Sequence, residues 1–228
     1  GVENKGVIGC GLFWSKKQGT NWSEPEIIPI TADTFTVGHP AISKDDKVLV
    51  FASNMPGGQG GKDLWYITYN KKMKEWSKPT NLGAEINTIG DEMFPYIREN
   101  GELYFASTGH KGMGGLDIFK AATTGINQWG GVENLQSPMN SEANDFGIIF
   151  DGAKERGFFT TDREGGRGGD DIWSFKLPAL MFELDGSVKN VETGKSIAGA
   201  KIKLLGTDGS SASTTTDENG NFFFVENG

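Results

Sequence analysis

The sequence has a single cysteine, Cys10, and only two histidines among its 228 residues. An internal disulfide is therefore excluded. Neither His39 nor His110 lies in a metal-ligand or nucleophile pattern, so catalysis finds little support. Cys10 closes the segment VIGC, but no apolar stretch precedes it, and we expect no lipid attachment there. We expect no cofactor and no metal site.

Basic residues and long apolar runs are also scarce. Lys and Arg number 22 against 30 Asp and Glu, which gives a net charge of −8. Nucleic acid is therefore not an expected partner, since it requires a clustered basic surface. No apolar run approaches the ~20 residues that cross a bilayer, so no transmembrane segment is expected.

Glycine and aromatic residues are abundant instead, with 34 Gly and 11% Phe, Trp and Tyr. Glycine supplies the positive φ angles of tight turns, and aromatic side chains fill sheet faces. No segment shows convincing helical periodicity. The composition predicts an all-β protein of short strands.

A repeat organises most of the chain. The motifs GGKDLW, GGLDIF and GGDDIW place an aspartate every 54 residues, and a small hydroxyl residue ends an apolar strand ten residues before each aspartate. Tryptophans recur with a similar spacing in the segment that follows. The repeated residues are Asp63, Asp117 and Asp171, with Trp22, Trp76 and Trp129.

Each copy is predicted to form four strands, which in the middle copy cover roughly 93–98, 102–107, 116–121 and 128–135. Four-stranded units in tandem are typical of β-propeller blades. Residues 1–30 supply only the last two strands of a first blade, and 142–177 supply three strands. We therefore expect residues 1–178 to form an open propeller of about three and a half blades, with further blades preceding residue 1.

Two interpretations of Asp63, Asp117 and Asp171 are open. They could form a ring of carboxylates for a metal or a sugar, or each could accept N–H bonds from its own Gly-rich loop. Recurrence in every blade favours the second, because one site needs different residues from different blades. The repeated tryptophans are likewise predicted to pack in the core or between blades.

Features unique to one blade are better candidates for partner contact. Arg163 and Arg167 lie in one Gly-rich loop, whereas the corresponding loops of the other blades have no arginine. The linkers between blades are acidic. The predicted partner-binding residues are Arg163, Arg167, Asp91, Glu92, Glu142 and Asp145, with a solvated surface as the alternative.

A different pattern follows Pro178. The stretch from 184 to 224 alternates apolar and polar residues, with turns at Thr193-Gly194, Asp208-Gly209 and Asn219-Gly220. It resembles the carboxypeptidase regulatory-like family in the segments TGKSIAGA and TDENGNF. That resemblance implies a truncated transthyretin- or Ig-like β-sandwich over residues 179–228, which would act as a spacer or binding module.

The repeats resemble WD40-like propellers of the PD40 or TolB type, as in ENGELYFAST. The phrases NLGAEINTIGDEMFP and NLQSPMNSEANDFG are similar to Bacteroidetes envelope proteins of the OmpA family linked to type IX secretion. The resemblance implies a non-enzymatic interaction scaffold in the periplasm, associated with the outer membrane. Its partners would be other envelope or secretion-system proteins, and peptidoglycan through a domain outside this segment.

The alternative function is a propeller glycosidase of the sialidase type, or glycan binding without hydrolysis. TTDREGG (160–166) partly resembles the aspartate-containing turns of sialidases. Sialidase chemistry also requires an arginine cluster, whereas three of the four arginines here lie in one blade. This distribution favours the scaffold at the level of sequence.

Overall fold

The computed structural model describes residues 2–4, 7–30, 34–178, 181–206 and 209–227. Every regular element in these ranges is a β-strand, so the predicted all-β class is confirmed. None of these residues forms a helix long and apolar enough to span a membrane. The chain divides into two compact units, Gly1–Lys176 and Leu177–Gly228, close to the predicted boundary after residue 178.

The first unit has 18 strands in the order of the chain. They are β1 (Val2–Asn4), β2 (Val7–Gly9), β3 (Phe13–Trp14), β4 (Lys17–Gln18), β5 (Asn21–Trp22), β6 (Glu26–Ile27), β7 (Val37–Ile42), β8 (Val48–Ser53), β9 (Asp63–Asn70), β10 (Glu75–Trp76), β11 (Thr80–Asn81), β12 (Glu92–Ile97), β13 (Leu103–Ser107), β14 (Asp117–Gly125), β15 (Gln128–Asn134), β16 (Asp145–Phe150), β17 (Arg156–Thr161) and β18 (Asp171–Lys176).

Three antiparallel sheets follow one another along the chain. The first sheet runs β7-β8-β9-β10, with β11 also paired to β9; the second runs β12-β13-β14-β15; the third runs β16-β17-β18. The strands of the second sheet lie within a few residues of their predicted positions. Neighbouring strands are sequential because short turns join them.

The first strands of the three sheets, β7, β12 and β16, lie beside one another. Sheets that meet at their first strands and stack face to face have the arrangement of propeller blades. Each interface between sheets is apolar. One core cluster joins the first sheet to the segment before it, and another joins the first sheet to the second.

The segment before the first sheet contributes two short strand pairs, β3 with β6 and β4 with β5. Leu12 and Ile28 from this segment are buried against Phe51 and Trp65 of the first sheet. Because Leu12 points towards the first sheet, its neighbour Phe13 points away from it, as alternation along a strand requires.

Each first strand carries a β-bulge at the same place. Two residues of the strand face one of its partner at His39-Pro40, Phe94-Pro95 and Gly147-Ile148. The first residue of each bulge has a positive φ angle, 49° at His39, 51° at Phe94 and 65° at Gly147. Bulges of this kind redirect side chains and often lie beside functional sites.

The second unit has four strands in two antiparallel pairs. β19 (Met181–Ser187) pairs with β22 (Asn221–Asn227), and β20 (Lys201–Leu205) pairs with β21 (Ser211–Thr215). Buried Thr216 donates its hydroxyl to the Ile197 carbonyl at 2.7 Å. Asp217 accepts the N–H groups of Asn219 and Asn221, both at 2.8 Å, so DENGN forms a self-capped hairpin turn.

Candidate functional site

The three repeated aspartates accept hydrogen bonds from their own Gly-rich loops. Asp63 accepts the N–H groups of Gln59 and Gly60 at 2.5 and 3.2 Å. Asp117 accepts those of Met113 and Gly114 at 2.9 and 3.0 Å, and Asp171 those of Arg167 and Gly168 at 2.7 and 3.1 Å. Each carboxylate thus holds the loop that precedes its own strand, an internal capping role.

The repeated tryptophans have different environments. Trp76 packs against Trp14 and Tyr69, with ring centroids 5.9 and 5.0 Å apart. Trp129 donates its indole N–H to the Gly101 carbonyl at 2.8 Å. Trp22 is 65% exposed, so its ring does not share the burial expected for the set.

Two of the predicted partner-binding carboxylates start inner strands. Glu92 and Asp145 are both buried without any exposed surface. Glu92 accepts the N–H and hydroxyl of Thr88 and the hydroxyl of Ser107, at 2.8, 2.6 and 2.7 Å. Both carboxylates are occupied within the chain, because Asp145 accepts bonds from Ser141 and Arg163 in the same way.

The other predicted contact residues lie closer to solvent. Asp91 accepts the backbone N–H of Lys62 at 2.7 Å and forms an ion pair with its ammonium at 3.3 Å. Glu142 and Arg167 are exposed. Arg163 is half-buried and packs over the rings of Phe159 and Trp173, at 5.1 and 5.2 Å. Their role in partner contact stays a prediction.

A pair of buried asparagines was missed by the sequence analysis. The Asn87 amide accepts the N–H of Leu64 at 2.7 Å and donates to its carbonyl at 3.0 Å. Asn140 makes the same two bonds to Ile118, both at 2.8 Å. Each amide therefore joins the linker before one sheet to the third strand of the previous sheet. The signal was present, since both asparagines sit in the two similar linkers.

Three rings on neighbouring first strands form a row that we call the inner aromatic row, composed of His39, Phe94 and Phe146. The ring centroids of His39 and Phe94 are 4.0 Å apart and those of Phe94 and Phe146 are 4.6 Å apart. All three side chains are half-buried, so part of each ring faces solvent. The row crosses all three sheets where they converge.

His39 is the polar member of the inner aromatic row. Its Nδ1 accepts the Phe94 N–H at 3.4 Å. Burial lowers the pKa of His39, and the positive charge of Lys62 lowers it further, so the ring is neutral at pH 7. A neutral ring that accepts at Nδ1 carries its proton on Nε2. Across the part of the chain that the structure describes, this Nε2–H has no partner.

The backbone under the row is strained. Positive φ angles are uncommon for His and Phe, and they persist where the surrounding structure imposes them. The sequence analysis treated His39 as an ordinary turn residue. The available signal was the repeated X-Pro pair, His39-Pro40 and Phe94-Pro95, near the start of equivalent strands.

The described ranges contain no group of three or more His, Cys, Asp or Glu side chains that could hold a metal ion. The carboxylates nearest the inner strands are bonded to the chain itself. The inner aromatic row, with its unpaired donor, is therefore the candidate site.

No family model and no curated protein matches the chain. Among solved structures, the chain is similar to an endo-arabinase from Bacteroides thetaiotaomicron, with 14% identity, a TM-score of 0.45, and coverage of 75% of this chain and 71% of that one. An α-L-arabinofuranosidase from Lactobacillus brevis has 12% identity and a TM-score of 0.38, over 71% of this chain and 59% of that one.

A GH43_12 protein from a capybara gut metagenome has 17% identity and a TM-score of 0.44, over 95% of this chain and 41% of that one. The chain thus spans about half of the length of the last two structures. Likeness at these identities and scores concerns the fold and assigns no chemistry.

The predicted membership of the WD40-like, TolB-type propellers and of the OmpA envelope family is wrong, because the similar structures are the sugar-cleaving enzymes named above. The dependent predictions, a non-enzymatic scaffold linked to type IX secretion and the absence of enzyme activity, are wrong for the same reason. The physical cause lies in the motifs. The aspartates cap loops and two of the three repeated tryptophans pack, so these residues report blade geometry and do not discriminate between propeller families.

Proposed function

We propose that the first unit recognises a glycan at the inner aromatic row, as part of a carbohydrate-active β-propeller. The carrying observation is the neutral His39, whose Nε2–H lacks a partner among the described residues while its ring lies in a row with Phe94 and Phe146.

Sugars present apolar C–H faces together with hydroxyl groups. A site for them needs aromatic surface and a small number of fixed polar groups. The row supplies partly exposed rings, and His39 supplies a donor whose direction the strained backbone and the ring stacking fix. A neutral donor suits a hydroxyl or a ring oxygen better than it suits an anion.

The finer architecture is part of the same proposal. We take the first unit to be an open propeller of about three and a half blades, and the second unit to be a small β-sandwich. Residence in the periplasm and contact with other envelope proteins remain predictions from sequence.

Glycoside cleavage requires two carboxyl groups on opposite sides of the scissile bond. Glu92 and Asp145 occupy equivalent first positions of β12 and β16, but hydrogen bonds to their own linkers occupy them. Among the residues described, binding is therefore the step that the side chains support directly, and cleavage is measured in the same experiment.

The test titrates the full chain with arabino-oligosaccharides, xylo-oligosaccharides and a sialoside by calorimetry, and follows the release of reducing ends. We expect one of these classes to bind, and His39→Asn to weaken binding at least ~10-fold, because the ring and its donor are both lost. Asparagine is chosen because it tolerates a positive φ.

Trp22→Ala is the matched control, since Trp22 is an exposed aromatic residue away from the inner strands. It should leave the affinity unchanged. If no oligosaccharide binds, or if Trp22→Ala abolishes binding and His39→Asn does not, the proposal is wrong.

A further inference from the structure

Each sheet of the first unit has a face that points towards the following sheet, which we call its forward face. In the first sheet this face includes Val50 and Leu64, and in the second sheet Tyr104 and Ile118. These four side chains are at most 4% exposed. The forward faces of the first two sheets are therefore closed interfaces.

The forward face of the third sheet is open. Strand pairing makes Phe158 the counterpart of Val50 and Tyr104, and Ile172 the counterpart of Leu64 and Ile118. Phe158 is 49% exposed and Ile172 is 77% exposed. A third apolar residue, Ile149, pairs with Phe158 and is also exposed. Residues that form a core in two sheets thus form an apolar surface in the third.

The glycines at this edge give independent evidence. A Cβ on Gly60 would lie 2.4 Å from the Thr88 carbonyl oxygen, and one on Gly114 would lie 2.1 Å from that of Ala143, because the next linker crosses each glycine. A Cβ on the corresponding Gly168 would meet nothing within 4 Å. The edge has the same backbone shape and leaves room for an incoming chain.

The opposite end of the array exposes the complementary face. Phe13 occupies the position that Trp65 and Phe119 hold in their strands, facing the preceding sheet. Trp65 and Phe119 are buried, whereas Phe13 is 54% exposed and its strand partner Ile27 is also exposed. We call this the rear face.

From these two exposed faces we propose that the forward face of the third sheet is an interface for a second copy of this chain, which docks its rear face there. The proposal extends an interface that the chain already makes twice, since forward and rear faces meet between the segment at 12–28 and the first sheet and again between the first two sheets. The occupant needs aromatic and aliphatic residues at the positions of Phe13 and Ile27.

Such a head-to-tail contact can be made twice in a pair of copies, with the forward face of each against the rear face of the other. A contact of this kind closes when the rotation brings the second pair of faces together. Closure would surround the inner aromatic row on all sides. The dimer is independent of glycan recognition, because sedimentation measures it without any sugar.

The test is sedimentation of the full chain from about 1 to 100 μM, a range that covers weak and moderate dimers. We expect a species of twice the 24.6 kDa chain mass to grow with concentration. Ile172→Asp should raise the dissociation constant at least ~100-fold, because it would bury an unpaired carboxylate. Phe13→Asp should act similarly from the other face.

The mixture of Ile172→Asp with Phe13→Asp identifies the head-to-tail arrangement. Each variant keeps one intact face, so the mixture should associate more tightly than either variant alone. Ile126→Asp, in an exposed turn of the second sheet, is the matched control and should dimerise like the unmodified chain.

A monomer at every concentration would overturn the proposal and would point to a blade from another polypeptide as the occupant. A dimer that Ile172→Asp leaves unchanged would overturn it as well, since another surface would then carry the contact. Failure to bind oligosaccharides would not affect either measurement.

Discussion

The Arg163 guanidinium donates to the Asp145 carboxylate at 2.5 Å, and that carboxylate has no exposed surface. Arg163 also donates to the carbonyl groups of Pro138 and Met139, at 2.9 and 2.7 Å. The arginine therefore joins the Gly-rich loop of the third sheet to the linker that enters the same sheet. A residue distinctive enough in sequence to suggest partner contact is thus fully engaged within the chain.

Arg163→Ala should lower the free energy of unfolding of the first unit by about 3 kcal/mol, because it leaves the buried Asp145 carboxylate unpaired. The measurement is urea unfolding followed by tryptophan fluorescence, which reports on the first unit alone because all six tryptophans lie there. Arg167→Ala is the matched control. Arg167 is exposed and only its backbone N–H is bonded, so we expect a change within about 0.5 kcal/mol.

The double variant Arg163→Met/Asp145→Asn should recover part of that loss, since it removes both charges together. Equal stability of the Arg163→Ala and Arg167→Ala variants would contradict the structural role of Arg163.

Gly114→Ala should destabilise the first unit by about 1–3 kcal/mol, because its Cβ would collide with the linker backbone at Ala143. Gly168→Ala, at the equivalent place in the third sheet, meets open space and should be neutral or slightly stabilising. The urea midpoints of the two variants at micromolar concentration give the comparison. A loss at Gly168 as large as that at Gly114 would show that the open edge is covered.

The pKa of His39 is lowered by burial and by Lys62, which fixes the sign of a pH effect. In the unfolded chain histidine takes up its proton near pH 6.5, whereas folded His39 does so at lower pH. The free energy of unfolding should therefore fall as the pH drops below about 6.5, with a slope no larger than about 1.4 kcal/mol per pH unit for one proton.

This contribution should disappear in His39→Asn. Unfolding at several pH values between about 7.5 and 5.5 compares the two chains, and His110 is present in both, so its contribution cancels. An identical pH dependence in the two chains would argue against a burial-shifted His39.

Burial raises the pKa of Tyr104 to about 12, and the nearby charge of Glu102 acts in the same direction. The phenol donates to the Glu102 carboxylate at 3.2 Å. In an absorbance titration at alkaline pH, Tyr104→Phe should therefore lose about one tyrosine from the part of the curve near pH 12. In a chain unfolded by guanidinium the same group should ionise near its ordinary value of about 10, which supplies the reference curve. A wild-type titration that is complete well below pH 12 would contradict the burial of Tyr104.

The sheets could be predicted because their signals are local and repeated. A strand that ends in Ser107, a Gly-rich loop and a strand that begins at Asp117 form one hairpin, and its turn chemistry is visible in the sequence. The same spacing before Asp63 and Asp171 placed the other hairpins. Strand positions followed because register is set by these turns and by alternation.

The candidate site could not be predicted in the same way. The inner aromatic row depends on the bulges at His39 and Phe94, which reverse the expected alternation and bring rings from different sheets into contact. The burial of Glu92 depends on Thr88 and Ser107, which come together only when the linker closes over the strand. Such contacts join residues of different sheets or linkers, and single-strand patterns do not contain them.

The amide bonds of Asn87 and Asn140 have a consequence for how the repeats can be exchanged. Each bond connects the third strand of one sheet with the linker of the next, so a cut in the linker separates partners that belong together. A cut in the exposed turns after the first strands, at 44–46 or 99–101, leaves both partners on one piece. The transferable module of this chain is therefore shifted against the visible sheets: it begins at the second strand of one sheet and ends after the first strand of the next.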